Sequence, residues 1–520
     1  MNSIFDSIAV RSLPESVFDL SHEVKLSGNM GELLPIFLEE VIPGDTFEVS
    51  SEVLMRLAPM LAPIMHRVNV FVHYFYVPNR LVWDEWNDHI TGGEDGLSNP
   101  AFPYISIGES NRTEYEKGSL ADYLGVPVTD DWGTIQETKN ISALPFRGYQ
   151  TIYNEYFRDQ DLSTKVDVSK ESGGDPNGVE MRKLRQRSWQ RDYFTSARPS
   201  AQKGPQVVLP NSEVVYKATS ELKDASGNPL ADSDLTSKVF GTLYGGNPDD
   251  PARIENIESI SAATVEDTRV ANRMQEWLEL AQRGGSRINE VIKNFFGENA
   301  DDLRLQRPQY LGGGVQNIIM SEVLNTAGSQ GGPTDPALQP LGEYGGHGIS
   351  MGRSNKFRKK FKEHGYVHGI LSVLPKTAYQ QGLHKHWTKF DKYEKYWPQF
   401  ANVGEQEIKN KEIFFNGDLN NVLDETFGYA PRYSEYKYAC DRVAGEFRKL
   451  GVNDNLSYWH MGRYFDTRPA LNKQFVESDP THRIFAVTDE DVDKLYIQVY
   501  HKFKAKRKMP YHNIPSNMPV

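Results

Sequence analysis

Two pairs of histidines have spacings at which metal ligands occur. His364 and His368 are four residues apart, and His384 and His386 are two apart. Residues four apart share a face only on a helix, whereas GYVHGILSVL, which follows His364, has the pattern of a strand. His384 and His386 could share one face of a strand, but the sequence shows no third ligand. We therefore predict no catalytic metal and no cofactor.

The residues that could support nucleophilic or phosphate chemistry lack their usual partners. There is no G-x-S-x-G sequence, and Cys440 lies in YKYACDRV without a recognisable catalytic pattern. Gly312, Gly313 and Gly314 are not followed by Lys-Ser or Lys-Thr, so a tight backbone turn explains them better than a phosphate loop. Carboxylate pairs are frequent in any acidic chain. These features favour a protein that is not an enzyme.

Three basic clusters are a stronger signal, because the whole chain has a net charge of -12. They are MRKLRQRSWQR, RSNKFRKKFK and the lysines that follow Tyr500. Trp189, Phe357 and Phe361 are interleaved with the first two clusters and are candidate stacking surfaces for bases. The candidate nucleic-acid-facing residues are Arg182, Lys183, Arg185, Arg187, Arg358, Lys359, Lys360, Lys502, Lys504, Lys506, Arg507 and Lys508.

Each cluster has a second interpretation, a solvated or edge-protecting face, which fits about as well as contact with DNA. We favour the C-terminal cluster because strand alternation would place Lys502, Lys504 and Lys506 together, opposite an apolar face. The acidic balance argues against a general nucleic-acid binder, whose cations would have to outnumber its acids. Contact with DNA should therefore be local, or assisted by a separate basic partner.

Period-two alternation predicts the elements that position these residues. It covers Met65 to Val77, Tyr366 to Leu374 and Asp493 to Lys506, and the first of these is apolar on both faces. Helical spacing appears twice, once from Val270 to Ala281 and again from Ile288 to Phe295, and such stripes are usually core. The many Pro, Gly, Tyr and Phe residues favour strands and irregular connections. A β-sandwich is the simplest fold that fits.

Long polar stretches are expected to be surface loops. They are residues 161–180, residues 212–267 and the glycine-rich residues 327–355. No apolar run approaches the roughly 20 residues that span a bilayer, and the N-terminus lacks the pattern of a secretion signal. With Cys440 as its only cysteine, the sequence predicts a soluble protein made in the reducing cytoplasm.

Sequence motifs along nearly the whole chain resemble, in the same order, those of major capsid proteins of the Microviridae, of the gokushovirus and related types. Departures are confined to LPK after GILSV and to the C-terminal end. The matching segments are FDLSHEVKLSGNMGELLPIFLEEVIPGDTF (Phe18 to Phe47), APIMHRVNVFVHYFYVPNRLVWDEW (Ala62 to Trp86), ALPFRGYQTIYNEYFRDQDL (Ala143 to Leu162), DYFTSARPSAQKGP (Asp192 to Pro205), AQRGGSRINEVIKNFFG (Ala281 to Gly297), LRLQRPQYLGGG (Leu303 to Gly314), EHGYVHGILSV (Glu363 to Val373), TAYQQGL (Thr377 to Leu383), FGYAPRYSEYKY (Phe427 to Tyr438) and SYWHMGRYF (Ser457 to Phe465).

The resemblance implies one viral jelly roll over residues 1–520, an antiparallel β-sandwich with long interstrand insertions, a few short helices and a C-terminal tail at residues 507–520. It implies a 60-subunit, T=1 icosahedral shell around circular single-stranded DNA, assembled in the host cytoplasm as part of the virion. Expected partners are a small basic DNA-binding protein, scaffolding and minor pilot proteins, and a host surface receptor, with no membrane.

By the same resemblance, residues 212–267 are the candidate threefold protrusion and contribute to host attachment. The candidate residues of this surface loop are Ser212, Asp224, Asn228, Asp232, Asp249, Asp250 and Asp267.

Two other classes of protein remain open from the residues alone. A jelly-roll lectin would need an aromatic-lined pocket and could act as a monomer. A jelly-roll hydrolase would need clustered acids or a metal.

Overall fold

The computed structural model describes residues 14–130, 132–205, 207, 213–216, 222–223, 253–254, 257–261, 265–285, 287–299, 301–324, 344–416, 421–449, 456–487, 489 and 491–512. Within these residues strands outnumber helices, and nearly all of the pairing is antiparallel. Among the strand pairs the exception is the short parallel pair formed by residues 378–379 and 441–442, and two isolated bridges are parallel as well.

The first sheet contains β1 (Ser16–Asp19), β2 (His22–Gly28), β4 (Thr46–Leu57), β13 (Ile319–Leu324), β14 (Tyr344–Lys360) and β20 (Leu495–Arg507). Its order is β1-β20-β4-β14-β13, and β2 also pairs with β20. The second sheet contains β3 (Leu34–Val41), β5 (Val68–Pro78), β12 (Gln309–Asn317) and β15 (Gly365–Pro375), in the order β12-β5-β15-β3.

The remaining strands form short pairs. They are β6 (Tyr104–Ile107) with β7 (Lys139–Ser142), β8 (Glu213–Tyr216) with β11 (Ile257–Ser261), β9 (Leu222–Lys223) with β10 (Arg253–Ile254), β16 (Ala378–Tyr379) with β19 (Asp441–Arg442), and β17 (Glu405–Lys409) with β18 (Thr426–Pro431).

The α-helices are mostly single turns. They are α1 (Trp86–Thr91), α2 (Leu120–Tyr123), α3 (Leu144–Ile152), α4 (Gly178–Arg182), α5 (Val265–Gly284), α6 (Ile288–Phe296), α7 (Asn410–Ile413) and α8 (Lys473–Val476). In the stretches that the structure describes, no helix is both long enough and apolar enough to cross a bilayer.

Apolar side chains from both sheets belong to one core. Val49 and Phe503 of the first sheet share it with Val72 and Leu371 of the second. The other face of the second sheet is covered as well, since Phe75 and Ile370 pack in a separate cluster with Phe146 of α3. This double covering confirms the prediction that the strand near Val68 is apolar on both faces. The predicted strands at 366–374 and 493–506 are confirmed as β15 and β20.

The chain divides into two compact units, residues 1–201 with 285–520, and residues 202–284. The sequence predicted one domain over residues 1–520, with an insertion at 212–267. The second unit contains residues 212–267 and extends beyond them at both ends, from residue 202 to the end of α5. Residues 202–284 make most of their contacts with one another. The assignment of one jelly-roll domain with an insertion at 212–267 stays a prediction.

Both predicted helices are confirmed, as α5 and α6, but the burial expected of their apolar stripes is not. Val270, Met274 and Trp277 of α5 are each more than half exposed, and so is Ile288 of α6. Helical spacing indicates an apolar face. It does not say whether the surface that covers this face belongs to the same chain.

The prediction of a glycine-rich loop at 327–355 is wrong for its second half, because residues 344–355 belong to strand β14. Glycine is needed there by close packing. A Cβ at Gly346 would lie 2.2 Å from the carbonyl oxygen of Ala62. Residues 327–343 lie outside the described residues.

The expected polar loop at 161–180 has no regular element before α4 begins at Gly178, yet it is anchored by a buried ion pair through Asp175.

Candidate nucleic-acid interface

Two of the three basic clusters lie on the same outer face of the first sheet. Strand β4 lies between β20 and β14, and its residues pair across both neighbours. Glu48 is opposite Lys504 on one side and Arg358 on the other. Ser50 is flanked in the same way by Lys502 and Lys356, and Thr46 by Lys506 and Lys360. We call this surface the lysine face, defined by Lys356, Arg358, Lys360, Lys502, Lys504 and Lys506.

Strand alternation explains why these cations point away from the core. In β20 the side chains of His501, Phe503 and Ala505 are fully buried, and the lysines between them are exposed. Phe47 and Val49 occupy the equivalent buried positions of β4. The inner side of this sheet therefore packs in the core, while its outer side is open to solvent in the single chain.

Acidic groups interrupt the lysine face at few positions. Glu48 lies at its centre and is exposed. At the β1 edge, Glu15 forms an ion pair with Lys506, and the hydrogen bond from this lysine lowers the pKa of the Glu15 carboxyl. Asp19 pairs in register with Lys504. Three rows of cations with one central carboxylate leave a positive surface, on which an extended polyanion could bind several rows at once.

The C-terminal end of the lysine face is partly used for internal contacts. Arg507 Nε lies 3.3 Å from Asp45 Oδ2, and Arg507 Nη2 donates a 3.1 Å hydrogen bond to the carbonyl oxygen of Glu40. Arg507 therefore anchors the end of β20. Lys508 follows it and is exposed.

Lys359 and the interleaved aromatic residues do not lie on the lysine face. Lys359 pairs with Phe47, which is a core residue, so its side chain leaves β14 on the opposite side from Arg358. Phe357, Phe361 and Trp189 are buried. The hypothesis that these three rings stack on bases is wrong for the folded chain, because strand alternation directs the two phenylalanines into the core.

The basic cluster at 182–191 is largely occupied by contacts within the chain. Arg182 is buried and forms an ion pair with Glu114. Arg185 donates to Gln150 at 2.7 Å and to Glu180 at 3.1 Å. Lys183 also pairs with Glu180, at 2.5 Å, but it remains half exposed.

Arg187 packs against the second sheet. Its guanidinium lies 4.1 Å from the centre of the Phe71 ring and donates a 2.8 Å hydrogen bond to Ser372 Oγ. Burial lowers the pKa of Arg187 to about 10. Arg187 therefore packs against β5 and β15 of the second sheet, whereas Arg182 is engaged by its ion pair with Glu114. Both cations are used for contacts within the folded chain.

Most residues of the candidate surface loop lie outside the described residues. These are Ser212, Asp224, Asn228, Asp232, Asp249 and Asp250. Asp267 is exposed in the first turn of α5.

The histidine pairs do not form a metal site in the part of the chain that the structure describes, which contains no cluster of three or more metal-ligating side chains. His364 lies beside the ring of Trp86, and His368 is buried. His384 Nδ1 and His386 Nδ1 are 2.5 Å apart on the surface, so the two rings share a hydrogen bond. Ser51 and His501 are in hydrogen-bond contact, but both are fully buried, so this pair cannot reach a substrate.

Sequence reasoning missed that β4 joins two of the basic clusters. The alternation in KFRKKF was sufficient to separate Arg358 and Lys360 from Phe357 and Phe361, but not to show which strand lies beside them. Lys356 belongs to the lysine face by the same alternation.

Comparison with known proteins gives the family of the chain. Residues 7–517 match the family model described as capsid protein (F protein). The chain is 34% identical to the capsid protein VP1 of Bdellovibrio phage phiMH2K, with 96% of this chain and 95% of the relative covered. It is 32% identical to the capsid protein VP1 of Chlamydia phage 1, with 99% and 98% covered. The capsid protein F of Enterobacteria phage phiK is 30% identical over 28% of this chain and 30% of its own length.

Proposed function

The chain belongs to the capsid protein (F protein) family, and from this premise we propose that it forms a T=1 icosahedral shell of 60 subunits around a circular single-stranded DNA genome. The resemblance to Microviridae major capsid proteins is confirmed over nearly the full length. The chain is thus a structural component of the virion and not an enzyme. The family argues equally against a monomeric lectin. The finer features of the shell are proposals.

The two antiparallel sheets are proposed to be the two halves of a viral jelly roll. Their shared core and long connections support this assignment. In such a subunit the strands form the scaffold, and the connections make most of the contacts with neighbouring subunits.

The lysine face is proposed to point into the shell and to bind the genome. The observation that carries this proposal is the pairing of Lys504, Glu48 and Arg358 in one row, with a row of two cations on either side. Neutralising phosphates with lysine and arginine releases counterions, so binding of this kind is independent of base sequence and weakens as salt rises. It fits a protein that must hold a whole genome.

A separate basic partner is proposed to supply charge that this chain lacks. The net charge of -12 on each subunit opposes the packing of a polyanion everywhere except on local patches such as the lysine face. A small basic DNA-binding protein would offset that repulsion. Scaffolding and minor pilot proteins remain proposed partners on the strength of the resemblance alone.

The lysine face is tested by changing Lys502, Lys504 and Lys506 together to glutamine. Shells should still form, because these side chains are exposed and their strand is held by its apolar side. The DNA content per particle, or its resistance to release at high salt, should fall. A control variant changes Lys117, Lys139 and Lys165 to glutamine. These lysines are exposed away from the lysine face, so the control has the same change in charge. Normal packaging and normal salt resistance in the first variant would refute the proposed role.

The unit at residues 202–284 is proposed to form the threefold protrusion and to contribute to attachment to a host receptor. Its separation as a compact unit within the chain supports an inserted module. Deleting Gly227 to Asp249 should remove density at the threefold axes of the assembled particle and reduce adsorption to host cells. Unchanged threefold density would exclude this segment from the protrusion.

A further inference from the structure

A short surface segment carries a concentration of exposed aromatic side chains that the lysine face and the insertion leave unexplained. Phe390 is 91% exposed and Trp387 is 66% exposed. Four further rings are about half exposed. We call this set the aromatic ledge, defined by Trp387, Phe390, Tyr393, Tyr396, Trp397 and Tyr436.

Hydrogen bonds within the segment hold the ledge in place. Glu394 accepts hydrogen bonds from the backbone N–H groups of Phe390 and Asp391, at 2.8 and 3.0 Å. The indole N–H of Trp397 donates to the carbonyl oxygen of Lys392 at 2.8 Å. These contacts close successive turns of the chain, so the exposed rings are presented by an ordered backbone. Little additional entropy would be lost on binding.

A buried ion pair fixes the ledge to the body of the subunit. Lys389 pairs with Glu435, and the side chains of both are 4% exposed. The Lys389 ammonium also lies 3.9 Å from the centre of the Tyr436 ring. Tyr396 packs edge-on against Tyr433, with ring centres 5.0 Å apart. The two parts of the ledge, residues 387–397 and Tyr436, are therefore held together as one surface.

The charge of the segment distinguishes this surface from the lysine face. Lys389 forms an ion pair with Glu435, and Lys385 donates a 2.9 Å hydrogen bond to the carbonyl oxygen of Glu407. The remaining cations are Lys392 and Lys395, which stand beside Asp391 and Glu394. The ledge is therefore close to neutral. A polyanion would gain little electrostatic free energy by binding there. Exposed tryptophan and tyrosine, in contrast, are side chains that dominate the binding energy of protein–protein interfaces.

The exposed area matches one side of a protein–protein contact. Six aromatic side chains that are about half exposed or more offer on the order of 700 Å², close to the roughly 800 Å² that each partner contributes to a standard interface. That is also more apolar surface than a monomeric protein usually leaves uncovered.

We propose that the aromatic ledge binds a second copy of this chain in the assembled shell. The proposal rests on the proposed shell-forming function, because the partner that a capsid subunit meets in every particle is another subunit. Trp387 and Phe390 are the anchors, since they are the most exposed rings. Lys392, Lys395, Asp391 and Glu394 form the polar rim.

The first test replaces Trp387 and Phe390 together with serine in the full chain. Because both are exposed, the thermal unfolding of the isolated subunit should change little. The yield of particles, measured by sedimentation and electron microscopy, should fall about tenfold or more. The control replaces Ile90 and Leu97, which are 52% and 82% exposed elsewhere, with serine and should assemble normally. Normal assembly of the Trp387→Ser, Phe390→Ser variant would overturn the proposal.

The second test does not depend on the folding of a double variant. A benzoylphenylalanine photo-crosslinker at position 390, irradiated in assembled particles, should yield a covalent dimer of this chain that survives nuclease. Crosslinks only to DNA, or no dimer, would overturn the proposal, and the former would assign the ledge to the genome. Failure of the unaltered chain to form particles would instead count against the proposed function itself.

Discussion

Ser51 Oγ lies 2.7 Å from His501 Nδ1 in the core between the two large sheets. The other ring nitrogen, His501 Nε2, lies 2.9 Å from the carbonyl oxygen of Ile36, so it must carry the proton and donate it. Nδ1 then accepts from Ser51. Tyr74 also hydrogen-bonds to Ser51. This network links β4 and β20 of one sheet to β3 and β5 of the other, and it requires a neutral imidazole.

The first prediction is a loss of subunit stability in mild acid. Burial lowers the pKa of His501 to about 4, from 6.5 for an exposed histidine. The unfolded chain therefore takes up a proton at a pH where the folded chain does not. The free energy of unfolding should fall as pH drops from about 6.5 to about 4, by about 3 kcal/mol for this histidine alone. Urea unfolding of the isolated subunit at pH 7 and pH 4.5 measures the change, and equal stability at both would contradict it.

The second prediction assigns part of this acid sensitivity to His368. Its side chain is 1% exposed, neither ring nitrogen has a hydrogen-bond partner among the described residues, and burial lowers its pKa to about 3. His368→Leu removes this group and fills the site with apolar atoms. We expect stability at pH 7 to be maintained or increased, and the loss between pH 7 and 4.5 to shrink by about 3 kcal/mol.

Since other groups titrate over the same range, the quantity to measure is the difference between His368→Leu and the unaltered chain. His512→Leu, at an exposed histidine, serves as the control and should leave the pH dependence unchanged. A His368→Leu variant with the full acid sensitivity would show that this histidine does not contribute.

The sequence predicted local features well and non-local ones poorly. Alternation in β20 placed Lys502, Lys504 and Lys506 correctly, because a strand face depends only on the residues of that strand. It could not show that Arg358 lies in the same row as Lys504, because that depends on β4 pairing with both strands. The availability of the cluster at 182–191 for DNA was overestimated for a similar reason. Its partner Glu114 is distant in sequence, so the ion pair of Arg182 is visible only in the fold.

The third prediction compares two ion pairs of equal length and different burial. Arg147 Nε lies 2.8 Å from Asp175 Oδ2 with both side chains fully buried, and Lys139 Nζ lies 2.8 Å from Glu137 Oε2 with both exposed. Asp175→Asn leaves the Arg147 guanidinium charged in the core and should cost about 3 to 5 kcal/mol of unfolding free energy. Glu137→Gln should cost well under 1 kcal/mol. Equal effects in chemical denaturation would show that burial does not control the contribution of these pairs.

The fourth prediction concerns the glycines of β14, which made the sequence resemble a loop. A Cβ at Gly346 would lie 2.2 Å from the Ala62 carbonyl oxygen, a backbone atom that cannot move without shifting the chain. A Cβ at Gly352 would approach Gln316 Oε1 at 2.1 Å, but this is the end of a flexible side chain. Gly346→Ala should therefore destabilise the subunit by about 2 kcal/mol or more, and Gly352→Ala by less than about 1 kcal/mol.

Thermal unfolding of the two alanine variants distinguishes a backbone requirement from a general preference for glycine. Both substitutions reduce the conformational entropy of the unfolded chain by a similar amount, so that effect cancels between them. What remains is the difference in steric contact. If Gly346→Ala unfolds at the same temperature as Gly352→Ala, β14 does not depend on its close approach to Ala62. Close packing would then not explain why glycine occupies these positions.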